Sequence, residues 1–129
     1  MAERIRPAHM AKPSGPWAAG VKVEAGRTLY VAGCIALDEQ GQVVGVGDIR
    51  AQTHQVMKNF QEVVEAAGMT MRDVVKITNY LVDVSDYEAM AEVRATYLSE
   101  PYPASTMVEV TGLLYPELLV EIEGIAVAS

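Results

Sequence analysis

Two glutamates, one cysteine, two adjacent hydroxyls and a helical arginine are the side chains of this sequence whose types and spacing could do chemistry. Glu121 and Glu123 stand two apart in "VEIEG". On a strand that spacing puts both carboxylates on one face, about 6 to 7 Å apart at a rise of about 3.3 Å per residue. Such a carboxylate becomes a general acid or base when burial at an interface raises its pKa; a solvated or ion-paired strand pair is the alternative. Cys34 follows a strand and a glycine, where a turn could present it to a ligand, although lone cysteines also serve as small apolar fillers. Ser105 and Thr106 open a strand directly after the proline-bounded "PYPA". Trp17, after "SGP", either anchors an irregular N-terminus or walls a pocket. Arg94 lies near the apolar side of a helix, between Met90 and Tyr97, placed for an interfacial ion pair or for anchoring an anionic substrate. His54 falls on the side of a helix away from the apolar stripe, where solvation accounts for it.

The composition narrows the choices. Half of the 129 residues are hydrophobic and 21% are charged, as in an ordinary globular chain. With a net charge of −7 and its ten Lys and Arg scattered, the chain offers no basic surface for nucleic acid. No apolar run approaches the roughly 20 residues of a membrane span, and the N-terminal "MAERIRPAHMAKPSGPW" has no apolar signal core. A cytoplasmic protein without membrane attachment is expected. One cysteine and two histidines, His9 and His54, leave no ligand pair at metal spacing. A phosphate loop, a dinucleotide fingerprint and an internal repeat are also missing. The expectation is one domain over residues 1–129, without metal or cofactor.

The elements that must position these residues follow from periodicity. An irregular N-terminal segment runs to a short strand in "GVKVEAG", and "TLYVAG" (28–33) makes a second, with room for another at 42–46. From Ile49 the apolar residues recur at helical spacing, and Gly68 is the stop. "DVVKITNYLVD" (73–83) is a strand. Ser85 and Glu88 form a capping box for a helix over 86–98, ended by Pro101 and Pro103. "STMVEV" and "LLVEIEGIAV" are the last strands. The order is β-β-α-β-α-β-β, an α+β fold.

Two helices cover only one face of such a sheet. In the last strand Val120, Ile122, Gly124 and Ala126 alternate with Leu119, Glu121, Glu123, Ile125 and Val127. The face bearing Leu119, Met107 and Ile125 mixes apolar groups with carboxylates and therefore needs a partner subunit. An oligomer with polar pockets at its seams is expected.

Taken together, "GPWAAGVKVEAGRTLYVAG", "VVEAAGM", "DVVKITNYLVD", "SDYEAM" and "PAST...VEIEGIAV" resemble the Rid (reactive-intermediate deaminase, YjgF-like) family over about residues 13–127. The resemblance implies a chorismate-mutase-like fold, a mixed sheet backed by two helices, in a barrel-like homotrimer with ligand clefts between chains. It implies hydrolysis of enamines or imines of small acids to keto acids and ammonia. In that family a glutamate positions the attacking water, a glycine N–H approaches the ligand and a "PARS" arginine grips the carboxylate. These fall on Glu121, Gly33 and Ser105, so the arginine is absent. The usual tyrosine after "GP" is Trp17, the helix asparagine is Ala91, and Cys34 stands where glutamine is usual.

The resemblance thus makes Glu121 the catalytic group and puts Trp17, Gly33, Cys34 and Ser105 at the substrate; Thr106 and Met107 beside Ser105, and Arg94 one helical turn beyond Ala91, complete the expected substrate-binding set. A charge-assisted hydrogen bond contributes about 1.5 to 3 kcal/mol, so losing the arginine argues against ordinary 2-aminoacrylate deamination. A differently shaped acid, 2-aminomuconate-like among the options, is the first reading. A non-catalytic trimer that binds a small metabolite is the second. Ribonuclease activity, described for some relatives, fits the acidic balance poorly.

Overall fold

The computed structural model describes residues 2–129. Strand β1 (Ala2–Ile5) pairs antiparallel with β2 (Gly20–Val23) as a separate ribbon. The main sheet holds β3 (Arg27–Cys34), β4 (Val74–Leu81), β5 (Ala104–Glu109) and β6 (Val120–Ala128) in the order β3-β6-β4-β5. Only β4 and β5 run parallel, so the sheet is mixed. Helix α1 (Ile49–Ala66) packs on β3 and β6, and α2 (Tyr87–Ala95) lies beside α1. The α+β order with two helices behind a mixed sheet is the one expected.

Three local readings change. The N-terminus is not irregular throughout, because "AERI" finds a partner in β2, which its own residues do not advertise. No strand forms over 42–46, where a single bridge joins Leu37 to Val43. The capping box does not form either: Ser85 donates to Asp83 through both N and Oγ, at 2.9 and 2.7 Å. That contact winds a 3-10 turn, Val84–Asp86, so α2 starts only at Tyr87. Helix α1 keeps its stop, Gly68 lying past its end at φ 75°, and gains an N-cap in Asp48, which accepts from Ala51 N at 3.0 Å.

The core lies between α1 and one sheet face. Val56, Met57, Phe60 and Val64 meet Ile77, Leu81, Val120, Ile122 and Ala126, all buried. Each of the larger side chains among these contributes about 1.5 to 3 kcal/mol, and Ala126 less. Gly124 is needed here, since a Cβ would sit 2.6 Å from the Lys76 carbonyl oxygen and 2.8 Å from Phe60 Cζ. The opposite face carries Thr78, Tyr80, Glu121, Glu123 and Ile125, each half-buried, with Tyr30 exposed beside them. Met107 is not on that face. It registers with Asn79, which registers with the buried Ile122, so the parallel β4–β5 pairing turns Met107 toward the helices.

Candidate active site

Glu121 is placed by a bulge. Val31 pairs with Gly124 and Cys34 with Ile122, so β3 spends three residues against two of β6. The extra residue brings Gly33 beneath the Glu121 side chain, where a Cβ would lie 1.9 Å from Oε2. Helix α1 fixes both strands. Gln52, wholly buried, donates to Glu117 O and accepts from Leu119 N, each at 2.8 Å, at the entry to β6. Asn59 donates to Ile35 O and Leu37 O, each at 3.0 Å, where the chain leaves β3.

The electrostatics suit a proton acceptor. Burial, and then the charge of Glu123, push the Glu121 carboxyl above its usual 4.5. Glu123 is engaged by the Tyr80 hydroxyl, which donates to its Oε1 and whose own pKa rises chiefly through that bond. Burial, and then Glu121, push the Cys34 thiol up to about 11, so it is not a thiolate nucleophile at neutral pH.

A second polar centre lies on the helix side of the sheet. Ser105 and Met107 border a cleft of about 490 Å³ with Trp17, Tyr87 and Glu88. Behind them Asn79, wholly buried, donates to Ser105 Oγ at 3.0 Å and to Thr106 O at 2.8 Å, and accepts from Arg94 Nη1 at 2.8 Å. Arg94 is also wholly buried, with its Cζ 6.0 Å from the Tyr87 ring centre. Burial lowers its pKa, and neighbouring Tyr87 works in the opposite direction.

The candidate residues therefore fall into two groups. Gly33 and Glu121 share the half-buried face, whereas Trp17, Ser105 and Met107 gather on the other side, where Cys34, in register with the buried Ile122, also packs against the core. Thr106 does not join Ser105; its register with Thr78 turns it to the Glu123 side, where Lys76 Nζ donates to its Oγ1 at 2.6 Å. Arg94 does not line the cleft, because its guanidinium is held behind Asn79 and Tyr87, and it forms no ion pair with the described residues. His54 is exposed as expected, with Nδ1 2.9 Å from the Tyr97 hydroxyl.

Sequence reading missed Gln52, Asn59, Tyr80 and Asn79. A signal existed for Asn79: Val75, Ile77, Asn79 and Leu81 alternate as the inward face of a strand, and an amide in that series needs a buried partner.

The fold and these two centres define a class of small α+β chains, with a carboxylate on the sheet face opposite the helices and a polar cleft on the helix side. Residues 8–128 match the family described as Endoribonuclease L-PSP, and the chain belongs to that family, which includes the Rid proteins. It is 42% identical over 126 residues to a RutC family protein of Pyrococcus horikoshii, covering 98% of both chains. It is 37% identical to the 3-aminoacrylate deaminase RutC of Acinetobacter baylyi, covering 96% of both. Among solved structures, a Rid family protein of Yersinia pestis superposes with a TM-score of 0.88 at 37% identity, covering 98% of both. No helix among the described residues is long and apolar enough to cross a membrane.

Proposed function

We propose that the protein is a hydrolytic deaminase of an enamine or imine of a small organic acid, working as a homotrimer. The observation that carries this reading is Glu121: a carboxylate with a raised pKa, seated over a glycine that leaves room for it, on the half-buried sheet face opposite the helices. Glu121 takes a proton from water as the water oxygen bonds to the imine carbon. That proton passes to nitrogen to give a carbinolamine; Glu121 then moves the remaining hydroxyl proton to nitrogen, the carbon–nitrogen bond breaks, and ammonia leaves as the carbonyl forms, so one water is consumed per ammonia released. Gly33 N–H and the Ser105 hydroxyl hold the acid.

Since the Glu121 and Ser105 centres lie on opposite sides of one sheet, a complete site takes Glu121 and Gly33 from one copy and Trp17, Ser105 and Met107 from another. A Ser105 hydroxyl in place of a guanidinium favours a substrate other than 2-aminoacrylate. The likeness to the 3-aminoacrylate deaminase of Acinetobacter baylyi supports a 3-amino acid enamine within the class. The test is ammonia release from 3-aminoacrylate and 2-aminoacrylate by wild type and Glu121→Gln. A wild type that accelerates neither would favour a small-acid-binding trimer instead.

A further inference from the structure

Arg94 is the one charged side chain that is wholly buried among the described residues, and no carboxylate pairs with it. Its Nη1 donates to Asn79 Oδ1, while Nε and Nη2 find no hydrogen-bond partner there. A guanidinium only donates, so the Asn79 oxygen must face it. That turns the Asn79 NH₂ toward β5, where it donates to Ser105 Oγ and Thr106 O. A flipped amide would set N–H against guanidinium and oxygen against the Thr106 carbonyl. Both ends forbid it. Ser105 Oγ thus receives a hydrogen bond from behind, its own proton is committed elsewhere, and no described residue accepts it. Ser105 borders the cleft beside Trp17 and Met107.

We propose that Arg94 and Asn79 form a buried positioning relay that fixes Ser105 as a hydrogen-bond donor into the cleft, so that this wall selects a carboxylate or carbonyl oxygen. The inference deepens the deaminase reading and rests on it for the cleft being half of a substrate site. The cation stays inside the fold and acts through one amide and one hydroxyl. Its charge polarises the amide and strengthens both bonds in a low-dielectric setting. A buried guanidinium without a carboxylate costs stability, and an apolar side chain of similar size would be the more stable occupant.

Trp17 is the only tryptophan and lines the cleft, so its fluorescence reports occupancy without catalysis. Pyruvate, a small 2-oxo acid, is the probe. Ser105→Ala should weaken its binding about 10-fold. Arg94→Met should weaken it several-fold while the melting temperature holds or rises, and Arg94→Lys, which still donates to Asn79, should restore it. The Ser105→Ala/Arg94→Met double variant should bind no worse than Ser105→Ala alone, because both act through one hydroxyl. Asn79→Asp gives an independent check: its carboxylate would draw the Ser105 proton inward and should match Ser105→Ala. Wild-type affinity in Arg94→Met or Asn79→Asp, additive losses, or a wild type whose Trp17 ignores pyruvate would overturn the relay. Pyruvate binding that follows this pattern in a protein releasing no ammonia would sink the reaction and keep the relay. Glu121-dependent ammonia release with pyruvate binding indifferent to Arg94 and Ser105 would do the reverse.

Discussion

A side chain at residue 33 and the carboxylate of Glu121 cannot occupy the molecule as it stands, because a Cβ there would lie 1.9 Å from Oε2 and 2.8 Å from Cδ. Gly33 is not among the glycines with positive φ, so contact, not backbone conformation, excludes the side chain. The obstructed group is the mobile end of a glutamate, which can swing away cheaply. Gly33→Ala should therefore keep the wild-type melting temperature and oligomer mass yet lose ammonia release about as severely as Glu121→Gln. An active Gly33→Ala enzyme would break the link between the glycine and the carboxylate.

Removal of the proposed base should lower ammonia release by about 10²- to 10⁴-fold. Glu123→Gln should cost far less, and it should shift the acid limb of the pH–rate profile to lower pH, because Glu123 is the second cause of the raised Glu121 pKa. Comparable losses in both variants would point to an architectural pair.

The same shift sets a stability sign. A carboxyl whose folded pKa lies above its unfolded value binds its proton more readily in the folded state, so stability falls as pH rises from the unfolded value, about 4.3, through the folded one. Glu121→Gln should melt higher than wild type at neutral pH, and the difference should close below about pH 4. Thermal melts of both proteins across that range check it, and a Glu121→Gln protein less stable at pH 7 would contradict the raised Glu121 pKa.

Cys34, with its thiol pushed up to about 11, should react slowly with iodoacetamide at pH 7.5 in the folded protein and readily in denaturant. Glu121→Gln should speed the folded-state reaction, since the Glu121 charge is part of the cause. Fast alkylation of the native wild type would argue for a reactive thiol.

Light scattering should give about three chain masses, and mixing two dead variants tests the shared site more sharply. Glu121→Gln and Ser105→Trp, the second filling the cleft, should each be inactive. Refolded together in equal amounts they should regain about a quarter of wild-type activity, the chance that neighbouring copies supply one intact half each. No recovery in mixed trimers would mean that each chain carries its whole site.

Gly124→Ala should lose about 1 to 3 kcal/mol, read as a lower melting temperature without change in oligomer mass, because the added methyl meets Phe60 and a strand carbonyl that cannot both yield. An unaffected melt would show that β6 and α1 can separate.

What the sequence by itself determined is whatever depends on near neighbours. The 3.6-residue recurrence from Ile49 made α1, the alternation through Val120 and Ile122 made β6, and the two-residue spacing of Glu121 and Glu123 put them on one face. The family resemblance picked out Glu121, Gly33 and Ser105. Only the tertiary structure decided which of these could meet. Faces of different strands are related by register, and register depends on pairing across the sheet. The parallel β4–β5 register sent Ser105 and Met107 to the helices and Thr106 to the carboxylates. One extra residue in β3 set Gly33 under Glu121. From its place on the helix Arg94 read as an interfacial ion-pair partner or a substrate anchor, and packing made it a buried cation whose nearest polar partner, Asn79, lies 15 residues away in sequence. Local pattern fixes which side of an element a residue occupies; the distance between two elements is set by the side chains packed between them, and no single stretch of sequence contains both.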